Sequence, residues 1–305
     1  MNHDDFCILM FYWNYFGRKS ILDNFHLAYN GHRSITSHIK VVEVARSGHF
    51  HLKIPGVTQM SSEQCLWQKE RVINYAAKHL TDDYKYIAYV DADLLFTDPN
   101  WIAKTKDKLG NKGTVVQPYS NVIYLPKGHT KYQGVMLESL PSLAKQVSDL
   151  GGNDAYVSKY LTNSIAHGVP GGVWAISLDD LRSRPIYDLS IVGGADSVQS
   201  FMFLGLPVGS AKKRHAHLAP DIEAMEQSYS KWMGYRDIAC VDQDLMHINH
   251  GSFCNRQYGS RYAVSNLINI ATDLEEVNGL YYYTGDDDKF LKGLEVFFDN
   301  RYEDE

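Results

Sequence analysis

Two aspartates stand at the end of an apolar stretch of the chain. In YKYIAYVDADLLFTDPNW, residues 84–101, an apolar and aromatic run leads directly into Asp91-Ala92-Asp93, and apolar residues resume behind it. Burying one ionised carboxylate without a partner costs free energy, and burying two side by side costs more. The sequence therefore predicts a positive partner for this pair that the strand itself does not supply.

A divalent cation is the partner that the spacing favours. Residues i and i+2 of an extended segment point to the same side, so Asp91 and Asp93 can address one ion. Carboxylate ligands suit Mg²⁺ or Mn²⁺. The alternative is a solvated turn with two incidental acids, but the apolar residues on both sides favour the metal. Phosphatases of the haloacid dehalogenase type are set aside, because their D-x-D lies near the N-terminus and continues into Gly-Thr.

The elements around this pair alternate between strand and helix. We predict strands over 6–13, 38–46, 84–90 and 113–120, and helices over 18–30 and 61–80, the second with Ser62 as its N-cap. This alternation predicts an α/β fold with a mostly parallel central sheet and helices on both faces. Ligands of such sheets bind beyond the carboxyl ends of the strands, which is where Asp91 and Asp93 fall.

The second half of the chain is less regular. We predict a glycine-rich loop, a strand and a short helix over 168–183, a turn and a helix over 191–205, and a loop and a helix over 246–262. The sequence contains no repeat and no low-complexity linker. We therefore expect one domain over 1–305, in which both halves share one sheet.

The composition indicates a cellular setting but says little about binding partners. The chain has 305 residues, 44% of them apolar, and no apolar run long enough to span a membrane. An acidic N-terminus unlike a signal peptide and four cysteines without C-x-x-C spacing predict a reducing, cytoplasmic protein. Residues 273–305 hold 11 of the 36 acidic residues and three of the 30 Lys and Arg. The rest of the chain is near neutral, which neither supports nor excludes an anionic partner.

Several short motifs, in order and nearly from end to end, resemble one enzyme class. They are FYWN, LWQKERVINYA, DADLLFTDPNW, VVQPYS, GGVWAISLDDL, GGADSVQS, HGSFCNRQYGSRY and FFDNRYED. The chain resembles GT-A glycosyltransferases of the D-x-D type, and more narrowly a phage and bacterial group related to base-J-associated DNA glucosyltransferases. The resemblance implies a Rossmann-like GT-A fold, a UDP-sugar donor and a metal cofactor. It divides the chain into a nucleotide-binding half (1–125), an acceptor half (126–272) and an acidic C-terminal tail segment (273–305).

The resemblance also implies roles for strand-end residues. Asp93 resembles the aspartate that binds the metal directly, and Asp91 the one that contacts the donor ribose, or the metal through water. Asn14 ends the first strand, where this fold receives the nucleotide base. Glu43 lies at a similar place after the second strand, although a plain strand-end carboxylate is an equal interpretation.

For three residues before the motif strand, a role in the site has to be weighed against a position on the surface or in the core. Lys69 and Glu70 are adjacent on a predicted helix, so at most one of them should face the site. Lys69 is expected to approach the diphosphate, with a surface lysine as the alternative. Trp67 is expected in the core rather than as a ligand platform.

A late histidine and two arginines complete the implied donor site. His250 resembles the additional metal ligand of GT-A enzymes, with His247 as the competing candidate; imidazole suits Mn²⁺. Gly251 would let the backbone approach phosphate oxygens. Arg256 or Arg261 would brace the diphosphate through the two-pronged guanidinium.

Asp196, in the turn GGADS, resembles the general base of inverting GT-A enzymes. It would take the proton of the acceptor hydroxyl, whereas in a retaining enzyme it would hold the donor sugar. The alternative interpretation is an N-cap aspartate. Trp174, in PGGVWAI, is expected to stack on a sugar or base, with core packing as the alternative.

The leading acceptor is a 5-hydroxymethylpyrimidine in DNA, which the relatives suggest and which requires the base to leave the stack. The basic segment 211–217 (AKKRHAH), with Lys231 and Arg236, would meet backbone phosphates or form a solvated loop. A cell-surface polysaccharide or protein is the rival acceptor. A non-catalytic glycan- or nucleotide-binding module and a structural protein are the remaining classes, and the convergent acids argue against both.

Overall fold

The structure is a computed structural model that describes residues 4–110, 114–160, 167–205, 238–252, 255, 260–270 and 272–304. Its strands are β1 (Phe6–Trp13), β2 (Ile39–Arg46), β3 (Thr58–Ser62), β4 (Tyr86–Val90), β5 (Leu94–Phe96), β6 (Val115–Gln117), β7 (Asn121–Tyr124), β8 (Glu138–Pro141), β9 (Val173–Ser177), β10 (Ile238–Cys240), β11 (Asp244–His247), β12 (Leu274–Val277) and β13 (Leu280–Tyr283). Its helices are α1 (Lys19–Arg33), α2 (Lys69–His79), α3 (Trp101–Leu109), α4 (Leu143–Asp149), α5 (Asn153–Tyr160), α6 (Leu178–Ser183), α7 (Ala195–Phe203), α8 (Arg261–Ser265) and α9 (Lys289–Asp299).

Seven strands form the main sheet in the order β10-β6-β9-β4-β1-β2-β3. Strands β1 to β4, and likewise β6 and β10, pair in parallel, whereas β9 runs antiparallel to both of its neighbours, β4 and β6. Strands β9 and β10 come from the second half of the chain, so both halves contribute to this sheet. The predicted α/β class with a mostly parallel central sheet is confirmed.

Both faces of the main sheet are covered. Leu9 and Phe11 of β1 pack into one core with α2, α4, α6, α7 and α9, and Ile8 and Met10 pack into a second core with α1 and α3. Burial on both sides explains why β1 reads as an unbroken apolar run rather than an alternating one. The predicted placement of helices on both faces is confirmed.

A second sheet starts where the main sheet ends. It contains β5, β11, β7 and β8 in that order, with β11 antiparallel to β5 and parallel to β7. Strand β5 begins at Leu94, four residues after the end of β4 at Val90. The motif Asp91-Ala92-Asp93 is therefore the link between the two sheets.

Three predicted elements have different bounds. The helix predicted over 61–80 begins only at Lys69, and Ser62 ends β3 rather than capping a helix. Residues 58–62 pair with β2, and this pairing outweighs their helix propensity. The segment between β3 and α2 is held in place by the amide of Trp67, which donates to the carbonyl of Ile191 at 2.8 Å. The predicted strand over 113–120 is reduced to three residues, and residues 246–247 belong to β11 rather than to a loop.

The acidic segment 273–304 is folded onto the body of the protein. It forms the hairpin β12–β13 and helix α9, and it buries Leu280, Phe290 and Leu294. Its charge thus lies on the outer side of elements whose inner side belongs to the core. Among the described residues, no helix has both the length and the apolar character that crossing a membrane requires.

Candidate active site

The two aspartates of the D-A-D motif lie next to the ends of different sheets. The Asp91 amide donates to the Gly172 carbonyl at 3.0 Å, continuing the β4–β9 pair, and the Asp93 carbonyl accepts from the Ile248 amide at 2.9 Å, continuing the β5–β11 pair. The chain turns at Ala92 and Asp93 between these two ladders. The extended i, i+2 geometry assumed from the sequence is therefore not the one observed at this motif.

Asp91 is neutralised by a lysine of the protein. Lys69, the first residue of α2, places Nζ 2.7 Å from Oδ1 of Asp91 and 3.1 Å from Oδ1 of Asp196. The Lys69 side chain is only 8% exposed, so its charge is held almost entirely by these carboxylates. Of the two adjacent charged residues considered in the sequence, Lys69 is the one that reaches the site. Asp91 does not belong to the group of converging carboxylate and imidazole side chains found among the described residues.

The pKa values around Lys69 describe a tightly balanced cluster. Burial alone would lower the pKa of Lys69, but the carboxylates of Asp196, Asp91 and Glu70 raise it well above its ordinary value. Burial raises the pKa of Glu70 to about 8 and that of Asp91 to about 6, with Lys69 opposing both shifts. The ammonium group of Lys69 is therefore shared between the carboxylates of Asp91 and Asp196.

Asp93 faces two histidines. Its Oδ2 lies 3.0 Å from Nε2 of His250 and 3.7 Å from Nε2 of His247. The register of β11 against β5 pairs His247 with Leu94, which brings the histidine beside Asp93. In the described part of the chain this is the one group of three carboxylate, thiol or imidazole side chains whose ligand atoms converge, all within 4.8 Å of one another.

This donor set fits a transition metal ion. The Nδ1 of His247 lies 2.9 Å from the Ile248 carbonyl, so this nitrogen carries the proton and Nε2 is left as the ligand atom. One carboxylate and two imidazoles suit Mn²⁺ better than Mg²⁺, which prefers oxygen ligands. His250, the expected late ligand, and His247, weighed in the sequence only as its competitor, both belong to this group.

Asp196 lies in the first turn of α7. The N-cap of this helix is Gly194 at φ 94°, so Asp196 is not the cap residue. Its side chain is 38% exposed and lines the cavity described next. Gly171 makes this placement possible, because a Cβ at that position would lie 2.9 Å from Cγ of Asp196.

A cavity of about 230 Å³ joins the lysine cluster to the histidine cluster. One wall is aromatic, with Trp67 at its centre: its ring meets Phe11 and Trp13 edge-on, and lies parallel to Phe298 at 6.3 Å. Trp67 therefore packs on the core and lines the cavity at the same time. The cationic side chains of the wall are Lys69, Arg261 and Arg301.

Arg261, one of the two arginines considered in the sequence, lines this cavity. It opens helix α8, is 7% exposed, and lays its guanidinium against Gly193 and Gly194. A Cβ at Gly194 would lie 2.6 Å from Nη1 of Arg261, so a side chain there would displace the arginine. Arg256 lies outside the described residues, as do the basic segment 211–217, Lys231 and Arg236.

Two strand-end residues serve the local backbone instead of the cavity. Asn14 donates from Nδ2 to the Tyr12 hydroxyl at 2.9 Å and to the Arg18 carbonyl at 2.8 Å, which closes the turn into α1. Glu43 is fully buried and accepts from the His51 amide at 2.6 Å. Further hydrogen bonds reach Glu43 from the amide of residue 52 and the side chain of residue 59, so its carboxylate fixes the loop after β2. Asn14 and Glu43 thus do not line the cavity described above, and for Glu43 the arrangement observed is the alternative of a plain strand-end carboxylate.

Trp174 and Gly251 also have structural surroundings. Trp174 is 1% exposed, and its Nε1 donates to the Pro170 carbonyl at 2.9 Å, so the core-packing alternative is the one observed. Gly251, at φ 95°, permits a close approach, but to the end of the chain: a Cβ there would lie 3.2 Å from the Tyr302 carbonyl oxygen and 3.3 Å from Cα of Glu303. The close approach that the structure shows at this glycine is thus to the backbone of residues 302 and 303.

Sequence reasoning missed two residues at the end of the chain. Glu303 places Oε1 3.6 Å from Nδ1 of His250 and 2.8 Å from Nη2 of Arg301, and both Arg301 and Glu303 line the cavity. A signal was present, since FFDNRYED at 297–304 is one of the motifs that carry the resemblance. The acidic charge of the segment concealed it.

Comparisons with known proteins find likeness only in structure. No protein-family model and no curated protein sequence matches the chain. The catalytic domain of Drosophila beta1,4-galactosyltransferase 7, solved with xylobiose, matches with a TM-score of 0.32 and 10% identity, covering 68% of this chain and 62% of that one. S. aureus TarS 1-349 matches with a TM-score of 0.34 and 10% identity over 65% and 54% of the two chains.

A third match is glucosyl-3-phosphoglycerate synthase from Mycobacterium tuberculosis, solved with Mn²⁺, UDP and phosphoglyceric acid. Its TM-score is 0.38 at 13% identity, over 90% of this chain and 82% of that one. The present chain spans less than two thirds of the galactosyltransferase domain and of TarS. The ligands of each neighbour belong to that neighbour, and the function of this chain is inferred from its own side chains.

Proposed function

We propose that this chain is a GT-A glycosyltransferase that moves a sugar from a UDP-sugar to a hydroxyl group with the help of Mn²⁺. The observation that carries the proposal is the convergence of Asp93, His247 and His250 beside a cavity that also holds Asp196 and Lys69. This convergence lies beyond the carboxyl end of β4, where open parallel sheets bind their ligands. In this proposal residues 1–125 form the nucleotide-binding half and 126–272 the acceptor half.

Sugar transfer from a nucleoside diphosphate needs positive charge at the leaving group. Asp93, His247 and His250 would hold a Mn²⁺ ion, and the bound ion would offset the charge that grows on the diphosphate as the glycosidic bond breaks. Arg261, whose guanidinium lines the cavity, would add a two-pronged contact to the same phosphates. The aromatic wall around Trp67 offers an apolar surface for a base or a sugar ring.

Asp196 is the residue that we assign as general base. Its carboxylate would accept the proton of the acceptor hydroxyl as that oxygen attacks the anomeric carbon, while the bond from this carbon to the diphosphate oxygen breaks. One such displacement inverts the anomeric configuration. Lys69, 3.1 Å from Asp196, fixes the position of the carboxylate, and Asp91 shares the same ammonium group on the donor side.

The leading acceptor remains a 5-hydroxymethylpyrimidine in DNA, supported by the sequence resemblance alone. A cell-surface polysaccharide or protein is the alternative, and a retaining transfer would give Asp196 the role of holding the donor sugar. Salt separates the acceptors, because DNA binding weakens steeply with salt concentration and oligosaccharide binding does not. NMR of the anomeric proton in the product separates inversion from retention. The proposed setting is the cytoplasm, of the host cell if the gene belongs to a phage.

A thermal-shift panel tests the donor half of the proposal. UDP, UDP-sugars and other nucleotides are each compared in Mn²⁺, in Mg²⁺ and in EDTA, because a ligand of the native state raises the melting temperature. We expect a shift with UDP that requires the metal and is lost in Asp93→Asn. Asp83→Asn, at an exposed position eight residues before Asp91, is the matched control. A folded protein without any nucleotide shift would overturn the proposal.

A further inference from the structure

We infer that Glu303 is a positioning residue that orients the His250 imidazole toward the metal ion. The inference rests on the proposed function, because it concerns the same metal site. It assigns a role to the end of the acidic segment, which the proposed chemistry does not otherwise use. The argument rests on what faces each nitrogen of His250 and on what holds Glu303 there.

The His250 ring lies between two carboxylates. Its Nε2 is 3.0 Å from Oδ2 of Asp93, and its Nδ1 is 3.6 Å from Oε1 of Glu303. A metal ion bound by both Asp93 and Nε2 would leave the ring proton on Nδ1, where the Glu303 carboxylate faces it. Metal-binding histidines commonly have such an acceptor behind them, and it both orients the ring and strengthens the ligand.

The second histidine of the group is arranged in the same way. His247 has the Ile248 carbonyl oxygen 2.9 Å from Nδ1, while its Nε2 faces Asp93. Each of the two rings thus has an acceptor on the Nδ1 side and the Asp93 carboxylate on the Nε2 side. For His247 this acceptor comes from the neighbouring backbone, whereas for His250 it comes from a residue 53 positions further along the chain.

Glu303 is held in place by charge and by burial. Its side chain is 11% exposed, and Nη2 of Arg301 lies 2.8 Å from the same oxygen that faces His250. The Arg301 side chain is itself 13% exposed and stands 5.9 Å above the ring of Phe298. Charge-assisted pairing of this kind restricts the rotamers of the carboxylate.

The backbone of Glu303 and the side chain of the next residue are hydrogen-bonded to the first turn of α1. The carboxylate of Asp304 accepts from the amides of Ser20 at 2.7 Å and Lys19 at 3.3 Å, the N-terminal amides that a helix leaves without internal partners. The Ser20 hydroxyl donates to the Glu303 carbonyl at 2.7 Å. A carboxylate at this end of a 15-residue helix also meets the positive end of its dipole.

The same helix holds the loop that carries His250. Asn24 of α1 donates from Nδ2 to the Asn249 carbonyl at 3.0 Å, and Gly251 lets this loop lie against the backbone of Tyr302 and Glu303. Helix α1 therefore fixes both sides of the contact, His250 from one side and Glu303 from the other. This shared support is what distinguishes a built contact from a chance meeting of a surface glutamate and a histidine.

The Mn²⁺ affinity of the 305-residue protein tests the positioning role of Glu303. Free Mn²⁺ is followed by electron paramagnetic resonance in wild type, Glu303→Gln and the control Glu275→Gln, which makes the same change at an exposed position of β12. We expect Glu303→Gln to weaken Mn²⁺ binding about 10- to 100-fold and the control to leave it unchanged. The visible spectrum of the Co²⁺-loaded protein should change in Glu303→Gln alone, and melting temperatures in EDTA should agree among the three proteins.

The outcomes separate this inference from the proposed function. Equal Mn²⁺ affinity and an unchanged Co²⁺ spectrum in Glu303→Gln would overturn the positioning role and leave the proposed function standing. Wild-type protein that is folded but binds no Mn²⁺ would overturn both. If Glu303→Gln does not fold, Arg301→Gln takes its place, since it removes the charge that holds Glu303. Weaker Mn²⁺ binding in that folded variant supports the role, and unchanged binding overturns it.

Discussion

The Lys69 ammonium lies 2.7 Å from the first carboxylate of the D-A-D motif, that of Asp91, and so provides the positive charge that this aspartate requires. The second carboxylate, that of Asp93, faces His247 and His250. The two aspartates therefore have different partners, although only one residue separates them. The separate partners of the two aspartates lead to predictions that differ from those of a metal ion bound by both carboxylates.

The first prediction concerns the two aspartates compared with each other. Asp93→Asn should abolish measurable Mn²⁺ binding, because it removes the only carboxylate of the three-residue group. Asp91→Asn should leave Mn²⁺ affinity within a few-fold of wild type, because Lys69 and not the ion is its partner. Titration calorimetry with Mn²⁺ measures both. Equal loss of binding in the two variants would show that the ion is shared after all.

The second prediction concerns the removal of the buried cation. Lys69→Met leaves Asp91 and Asp196 facing each other without a positive charge, so the folded state should lose stability. Breaking a fully buried ion pair costs roughly 3–5 kcal/mol, and we expect about 2 kcal/mol because both carboxylates keep partial contact with solvent. Urea unfolding at pH 7 measures the change. Lys19→Met, at a side chain 81% exposed, is the control and should change stability by less than about 0.5 kcal/mol. Equal effects of the two variants would contradict the cluster.

The third prediction concerns the choice of metal. Two imidazoles and one carboxylate should bind Mn²⁺ at least about tenfold more tightly than Mg²⁺. His247→Asp should narrow this preference, because it replaces a nitrogen ligand with an oxygen ligand. Competition titrations of Mn²⁺-loaded protein with Mg²⁺ provide the measurement. A wild type that binds both ions equally would mean that the histidines are not ligands.

The fourth prediction concerns His32 and the pH dependence of stability. This histidine is 1% exposed, packs edge-on against Phe96 and Trp101, and has its pKa lowered by burial to about 4. Between pH 6.5 and 4 the unfolded chain takes up a proton that the folded protein does not, so stability falls as the pH falls. At pH 5 this loss is about 2 kcal/mol relative to pH 7.5.

A neutral residue at position 32 removes that contribution. The difference in unfolding free energy between pH 7.5 and pH 5 should be about 2 kcal/mol smaller in His32→Leu than in wild type. His79→Leu, at an exposed position at the end of α2, is the control. Identical pH dependence in wild type and His32→Leu would show that His32 is not kept neutral by the fold.

Much of the scaffold was predictable from local patterns. The apolar runs that became β1, β2 and β4 and the helical spacing of α1 need no distant information, and the position of Asp91 and Asp93 beyond β4 follows from them. The start of α2 was not predictable in this way. Residues 58–62 pair with β2 across the sheet edge, and this long-range pairing decides that the helix begins at Lys69.

The site itself depended on contacts that sequence spacing does not encode. Lys69 contacts Asp91 from 22 residues earlier in the sequence, and Glu303 contacts His250 from 53 residues later. Asn14 and Glu43 stand at the expected strand ends, but nearby backbone amides and carbonyls occupy their side chains. Position at the correct edge of a sheet therefore predicts the neighbourhood of a site more reliably than it predicts which side chains are left to bind a ligand.

Calorimetric titration of UDP into the 305-residue protein, in Mn²⁺ and in EDTA, tests the central claim most directly. A metal-dependent UDP-sugar transferase should bind UDP in Mn²⁺, lose at least about tenfold in affinity in EDTA, and show the same loss in Asp93→Asn when Mn²⁺ is present. UDP affinity that is equal in Mn²⁺ and in EDTA, or no UDP binding by folded, Mn²⁺-loaded protein, would contradict the assignment of this cavity as a sugar-nucleotide site.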